Sequence, residues 1–372
     1  RQRLGHEIGL RGIRTERGNS RARSLVLWAQ RDREDAETIL QGSHVEDLRT
    51  AGELFHRADS LLKLARLADT SWLRPLIDRS WTMHRYASLL KGSERRSARQ
   101  VAWQLADQAV RHDPQAAAAL ELRGVLRWEA VREEEGSDRS ARFLSQSEAD
   151  LRAALAADST RARSWATLSF LLWYRGRTAE AEIAARRALS EDTYMANAPA
   201  VLDRLYFASL MLGDFAQAAE WCQRGRSSFR TYWRFVECDL TLMRHDPEAV
   251  PNSDSAWALV RELDRLDPAE KSRAEGRPYQ PIYRRVLAAT ISARAGKRDI
   301  ARAELRRALR ATRGDSALTL DLAPDAALLQ LALGERRQAA DLVRAYLEAR
   351  PTARDYFVRE PLFKELELSR AP

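Results

Sequence analysis

The clearest pattern of apolar and polar positions lies between residues 162 and 193. Trp165, Leu168 and Leu172 recur at intervals of three and four residues, the spacing of one face of an α-helix. Gly176 predicts the end of that helix, because glycine adopts the left-handed cap conformation without a steric penalty. A narrow stripe of mostly small residues then predicts a second helix that packs closely against the first: Ala181, Ala185, Ala188 and Leu189.

This helix-turn-helix pattern recurs along the chain. Gly213, Gly296 and Gly334 are each followed by a similar stripe. The repeated units close at positions 70, 114, 159, 193, 230, 268, 313 and 351, which are 34 to 45 residues apart. Neither helix of a unit can bury its stripe alone, so neighbouring units must stack. The uneven spacing predicts that loops decorate the stack.

The spacing resembles that of the tetratricopeptide repeat. The places of that motif are filled by Trp165, Leu168, Ser169, Leu172, Gly176, Ala181, Ala185 and Ala188, while Thr193 stands where the family usually has proline. The resemblance implies an all-α fold. We expect an α-solenoid of about seven to eight such repeats, with a capping helix at its C-terminal end.

Composition shifts predict three segments. Residues 1–23 are interpreted as a linker or the end of a preceding domain, residues 24–351 as the solenoid, and residues 352–372 as the cap and tail. Residues 268–281 are interpreted as an internal linker, and residues 133–142 as an exposed charged insertion. Because the chain begins at Arg1, we expect it to be an excised or processed segment.

The two ends carry a second resemblance. Residues 4–30 and 357–368 are similar to the ends of C-terminal repeat regions in multidomain bacterial signalling proteins. In those proteins a Ser/Thr kinase or a TolB-like module precedes the repeats. The resemblance implies that any enzymatic activity would lie upstream of Arg1.

The formal net charge is +9, and 57 of the 62 basic residues are arginine. Arginine suits phosphate and carboxylate contacts, so a basic module that binds nucleic acid in a transcriptional regulator is the alternative function. The arginines are spread over most of the predicted helices, which favours solvated helix surfaces instead. No apolar run is long enough to cross a bilayer. The sequence does not identify the compartment. The cytoplasm is favoured, and an extracytoplasmic location is the alternative if a membrane anchor lies upstream.

Candidate chemistry is sparse. There is no phosphate-binding glycine loop, no GxSxG motif and no HExxH motif, and the six histidines are scattered singly. We therefore predict no catalytic residues, no metal site and no cofactor. Cys222 and Cys238 are the only cysteines. They are interpreted as buried free thiols, with a single bridge between adjacent helices as the alternative in an oxidising compartment.

The resemblance also implies which first-helix positions face a concave groove. In repeat two they are Ile77, Trp81 and His84, and the predicted binding residues further along are Trp128, Arg163, Phe170, Trp173 and Phe207. Such a groove would suit an extended peptide or a partner helix. The alternative is that these aromatic residues pack between helices and fill the groove. The predicted function is a non-catalytic protein-interaction scaffold or sensor module within a larger bacterial signalling protein.

Overall fold

In the computed structural model the regular elements of the described residues are α-helices, apart from one 3₁₀ turn over Pro351–Ala353. The structure describes residues 18–41, 47–133, 138–354, 357, 363 and 366. The chain divides into two compact units, Arg1–Ala198 and Pro199–Pro372. In the described residues eight helix pairs follow one another. The predicted all-α repeat fold is therefore confirmed.

Four helix pairs build the first unit. They are α1 (Ser20–Gln41) with α2 (Asp47–Ala68), α3 (Arg74–Ala87) with α4 (Gly92–His112), α5 (Ala117–Glu133) with α6 (Asp138–Ala157), and α7 (Ala162–Tyr174) with α8 (Thr178–Glu191). The last pair is the one predicted around Gly176. Ala181 and Ala185 are both 0% exposed, so the small-residue stripe packs between helices as predicted.

Four further pairs and one short helix form the second unit, whose first helix begins at the boundary. They are α9 (Ala198–Met211) with α10 (Phe215–Ser228), α11 (Arg234–His245) with α12 (Ser253–Leu266), the short α13 (Ala269–Ala274), α14 (Gln280–Arg294) with α15 (Arg298–Ala311), and α16 (Ser316–Ala332) with α17 (Arg336–Ala349).

One type of turn joins the helices in four of the pairs. Its glycines have φ angles between +72° and +81° and are Gly176, Gly213, Gly296 and Gly334. The residue after each glycine donates its backbone N–H to the carbonyl five positions earlier, as Arg177 does to Leu172 at 2.9 Å. This is the Schellman arrangement, which satisfies the last carbonyls of a helix. The glycine stops are therefore local signals, independent of distant contacts.

The predicted linker at 268–281 has structure of its own. It contains α13. After that helix, the guanidinium of Arg277 donates hydrogen bonds to both carboxylate oxygens of buried Asp267, at 2.9 and 2.8 Å. Ser272 donates to the same carboxylate at 2.6 Å. Polar contacts therefore hold the segment that the sequence predicts as an internal linker. The other predicted insertion, 133–142, lies partly outside the described residues, and α6 begins within it at Asp138.

Both ends of the repeat region are packed where they are described. Helix α1 begins at Ser20, inside the predicted linker 1–23, and Asn19 donates to the carbonyl of Ala68 at 2.6 Å. Phe357 and Phe363 are each 1% exposed and belong to a core cluster with residues of α16 and α17. Residues 1–17 and most of the predicted cap lie outside the described residues. No described helix has both the length and the apolar character needed to cross a membrane.

The two cysteines form a disulfide between α10 and α11. The Cα atoms of Cys222 and Cys238 are 6.0 Å apart, and the residues are 1% and 2% exposed. The interpretation as free thiols is wrong, whereas their burial and the alternative bridge between adjacent helices are confirmed. The pairing depends on helix packing, because the cysteines are 16 residues apart in sequence.

Close packing of the same two helices depends on Gly225. A Cβ atom placed on Gly225 would lie 2.2 Å from the Cδ1 atom of Phe235, whose side chain is 1% exposed. A packed ring has little room to move aside. The helices can therefore approach this closely only with glycine at this position.

We expect Gly225→Ala to lower the free energy of unfolding by about 1–3 kcal/mol through overpacking. Gly52→Ala is the matched control. Gly52 lies inside helix α2, and a Cβ atom placed on it would contact only the Tyr86 ring, at an ordinary van der Waals distance of 3.6 Å. That variant should be more stable by about 0.5–1 kcal/mol, because alanine favours a helix over glycine. Chemical denaturation followed by circular dichroism measures both changes. Equal stability of the Gly225 variant and the parent would contradict the packing described here.

Candidate interaction surface

Two side chains from non-adjacent repeats meet on one face of the first unit, here called its inner face. Trp81 lies on α3 and Arg163 on α7, the first helices of repeats two and four. The guanidinium carbon of Arg163 lies 4.5 Å from the centroid of the Trp81 ring. This is a cation–π contact, which holds the planar guanidinium against the ring. The contact therefore links the first helices of two repeats that are not neighbours in the chain.

Charged side chains of both signs surround Arg163. Although its side chain reaches solvent, the surrounding protein displaces water from the guanidinium and lowers the pKa of Arg163. Glu121 opposes this shift, while Arg33, Arg161 and Arg85 lower the pKa further.

The neighbouring arginines are already paired with carboxylates. Arg85 donates to both oxygens of Glu37, and Arg161 lies 3.0 Å from Glu121. Arg33 lies 3.6 Å from Asp78. Among the described residues, no carboxylate lies within ion-pair distance of Arg163. Of these four arginines, Arg163 is therefore the one without a direct counter-ion among the described residues.

The predicted aromatic residues are distributed between core and surface. Trp128 is 9% exposed and belongs to a core cluster, against which the half-buried Phe170 and Trp173 also pack. The Trp128 ring contacts the ring of Tyr174 edge-on, with centroids 5.7 Å apart. Phe207 belongs to the second unit, where its ring lies 4.9 Å from that of Tyr206. Trp128 is thus a packing residue in the first unit.

A polar network joins helices of the second unit that are not neighbours in the chain. Arg244 on α11 lies 2.5 Å from Asp325 on α16, which also accepts a hydrogen bond from Tyr279. These helices are the first helices of pairs that are not neighbours. Arg294 adds a bond to the carbonyl of Arg244 at 2.7 Å. Sequence reasoning missed this network, because Arg244 and Asp325 are 81 residues apart and no local pattern relates them.

His245 adjoins this network in its neutral form. Arg244 donates to Nε2 of His245 at 3.2 and 3.0 Å. Burial lowers the pKa of His245 well below its usual range, and the charges of Arg244 and Arg294 lower it further. The unfolded chain therefore binds a proton at this residue more readily than the folded chain.

We expect the free energy of unfolding to fall as the pH drops below about 6.5, the ordinary histidine pKa, because protonation then favours the unfolded chain. His245→Gln should show a shallower loss between neutral pH and pH 5, measured by denaturant unfolding at each pH. His112→Gln is the control, because His112 is exposed. Identical pH profiles for the parent and the His245 variant would rule out a buried neutral imidazole.

Comparison with known proteins finds solved structures whose fold is similar to that of this chain. No protein-family model matches the chain, and no curated protein sequence matches it at a significant level. Among solved structures, TTC0263, a TPR protein of Thermus thermophilus, is 13% identical; the match covers 57% of this chain and 99% of that one, with a TM-score of 0.42. PilF of Pseudomonas aeruginosa is 20% identical over 64% of this chain and 95% of its own, with a TM-score of 0.44.

A third similar structure is YrrB, described as a TPR protein with an unusual peptide-binding site. It is 17% identical, and the match covers 58% of this chain and 96% of that one, with a TM-score of 0.42. Likeness at this level concerns the helical repeat alone and transfers no activity or partner. The tetratricopeptide-like character of this chain rests on its own helix pairs, small-residue stripes and glycine turns.

Proposed function

We propose that this chain is a non-catalytic protein-interaction scaffold, and that the inner face of its first unit binds an acidic segment of a partner protein. The observation that carries this proposal is the Arg163 guanidinium, which reaches solvent, stacks on Trp81 at 4.5 Å and has no carboxylate at ion-pair distance among the described residues. A guanidinium already held in place loses little freedom on binding. It can also donate two parallel hydrogen bonds to one carboxylate.

Apolar side chains follow Arg163 on the same face of α7. Phe170 and Trp173 come about two and three helical turns later, and both are half-buried. We assign them as the apolar contacts for the residues next to the bound carboxylate. Trp128, which is buried, supports them from the core cluster. Phe207 is proposed as a contact in the second unit, independent of this one.

The experiment is a selection from a random peptide library displayed on phage, carried out against the full chain. We expect enrichment of peptides that combine acidic and aromatic or aliphatic residues. For an enriched peptide, Arg163→Gln should weaken binding by about 2 kcal/mol, as expected for the loss of a charged hydrogen bond. Isothermal titration calorimetry measures this difference.

Arg187→Gln is the matched control, because Arg187 lies on the second helix of the same repeat and its side chain is 54% exposed. That variant should bind as the parent does. Circular dichroism should show that both variants remain folded. Enriched peptides that bind the Arg163 variant as tightly as the parent would overturn the assigned site.

The alternative function is a nucleic-acid-binding module. The dependence of binding affinity on salt concentration distinguishes it from the protein-interaction scaffold. Contacts to phosphates give an affinity that falls steeply with salt, since each contact releases counter-ions. A labelled single-stranded oligonucleotide should bind weakly at physiological salt if the scaffold proposal holds. Tight, steeply salt-dependent binding to the oligonucleotide would favour the alternative.

The wider context is also a proposal. The resemblance of residues 4–30 and 357–368 to multidomain bacterial signalling proteins supports a chain that follows a Ser/Thr kinase or TolB-like module. The coding sequence upstream of Arg1 tests this directly. A kinase or TolB-like module encoded there would support the proposal, and an unrelated sequence would contradict it.

A further inference from the structure

Three ligand-type atoms meet where α10 packs against α11 in the second unit. The two sulfurs of Cys222 and Cys238 and a carboxylate oxygen of Asp239 all lie within 4.8 Å of one another. Cys222 Sγ is 3.1 Å from Asp239 Oδ1. Cys222 comes from one helix and the other two residues from the next, so helix packing itself brings the three groups together.

We propose that reduction of the Cys222–Cys238 disulfide turns this cluster into a site for a divalent metal ion that prefers thiolates, such as Zn²⁺. Cysteine thiolates and carboxylates are the usual partners of zinc, together with histidine. The Cα atoms of the cysteines are 6.0 Å apart, so both sulfurs can reach one ion. A sulfur in the disulfide cannot bind the ion as a thiolate, so the oxidised and metal-bound forms exclude each other.

The charges around the cluster suit a bound divalent cation. Two thiolates and the Asp239 carboxylate carry three negative charges, and the ion supplies two positive ones. Arg226, which is paired with Asp239 through the other carboxylate oxygen, supplies the third. Glu262, which also pairs with Arg226, adds one negative charge, but its side chain is 31% exposed and solvent can stabilise it. The buried part of the site would therefore be neutral, which limits the cost of burying it.

Access to the cluster runs along the side of Asp239. The two cysteines are buried, whereas the side chains of Asp239 and Arg226 are each 35% exposed and that of Glu262 is 31% exposed. An ion can enter there, and a water molecule can occupy the fourth tetrahedral position on the same side.

The chemistry balances in two steps. Reduction breaks the S–S bond and adds two electrons and two protons, giving two thiols. A phosphine reductant supplies the electrons and becomes a phosphine oxide, with water supplying its oxygen and the two protons. Metal binding then forms two S–metal bonds and releases the two thiol protons to the buffer.

The test uses the full chain, reduced with a phosphine under nitrogen and titrated with Co²⁺. We expect one Co²⁺ per chain, with a thiolate-to-cobalt charge-transfer band that Zn²⁺ then removes by displacement. The oxidised chain should show no such band. Saturating Zn²⁺ should also slow re-formation of the disulfide by oxidised glutathione, because both sulfurs are occupied.

Variants of the proposed ligands test whether the charge-transfer band comes from Co²⁺ bound at this cluster. Cys238→Ser should abolish the charge-transfer band, and Asp239→Asn should weaken Co²⁺ binding at least about tenfold. Glu220→Gln is the matched control and should bind Co²⁺ as the parent does, because Glu220 is exposed on α10 and is not a proposed ligand. The Asp239 variant keeps both cysteines, so it remains informative if the serine variant fails to fold.

Three results would overturn the proposal. One is a reduced, folded chain without the charge-transfer band. Another is a band that persists in Cys238→Ser or is unchanged in Asp239→Asn. The third is re-formation of the disulfide at the same rate with and without saturating Zn²⁺.

Discussion

Arg284→Ala is expected to lower the free energy of unfolding of the second unit by about 3–5 kcal/mol, the usual cost of leaving a buried charge without its partner. Arg284 is 0% exposed. It donates to Asp267 Oδ2 at 2.6 Å, to the Asp267 carbonyl at 3.0 Å and to Glu237 Oε2 at 3.2 Å. Helix α14 is thereby joined to α11 and to the end of α12.

The pKa values of Asp267 and Glu237 shift in opposite directions, although both carboxylates contact the guanidinium of Arg284. Burial by itself would raise the pKa of Asp267, but hydrogen bonds from Arg277, Ser272 and Arg284 outweigh it and hold that pKa well below its usual range. Burial raises the pKa of Glu237, and Arg284 only partly offsets it. Without Arg284, Glu237 loses its guanidinium partner, whereas Asp267 keeps Arg277. The lost unfolding free energy therefore comes chiefly from the contact between α11 and α14.

The measurement is denaturant unfolding followed by circular dichroism. Arg298→Ala is the control, because Arg298 is exposed in the next helix and its replacement should change stability by no more than about 0.5 kcal/mol. Arg284→Lys should fall between the two, since lysine keeps the charge but loses the planar fork. A loss below about 1 kcal/mol in Arg284→Ala would mean that this network does not hold the three helices together.

Reduction of the Cys222–Cys238 disulfide is expected to cost about 3 kcal/mol of unfolding free energy. The cysteines are 16 residues apart, and a loop of that size restricts the unfolded chain by about this amount. The midpoint of denaturant unfolding should therefore fall when a phosphine reductant is added. A chelator in both samples removes any contribution from bound metal.

The double variant Cys222→Ala/Cys238→Ala is the control for this effect. Its unfolding midpoint should not respond to the reductant, and it should match that of the reduced parent closely. Two titratable thiols in the unfolded but unreduced parent would show that the cysteines are not bonded. That result would contradict the bridge between α10 and α11.

The proposed binding surface of the first unit differs from the polar network of the second in whether its charge is already paired. In the first unit, Arg163 reaches solvent over Trp81, so the face presents a positive group of fixed orientation. In the second unit, Arg244 and Tyr279 both bond Asp325, so the corresponding polar groups satisfy one another. A satisfied buried network stabilises its unit and offers little to a partner. We therefore expect partner binding to respond to changes at Arg163 more than to changes at Arg244.

The repeated helix pair could be predicted from the sequence alone, because its determinants are local. Trp165, Leu168 and Leu172 define a helix face by their spacing, and Gly176 ends the helix by its own backbone freedom. The burial of Ala181 and Ala185 follows from the same pattern. Each of these features depends on residues within one repeat, where chain connectivity keeps the partners together.

Only the tertiary structure decided which side chains meet across repeats. Three contacts depend on how helices of different repeats pack: the stacking of Arg163 on Trp81, the bridge between Cys222 and Cys238, and the enclosure of Arg284 by two carboxylates. That packing is the sum of contacts from many residues, so no single spacing encodes it. For the same reason Trp128, which the repeat register assigned to a groove, lies in the core.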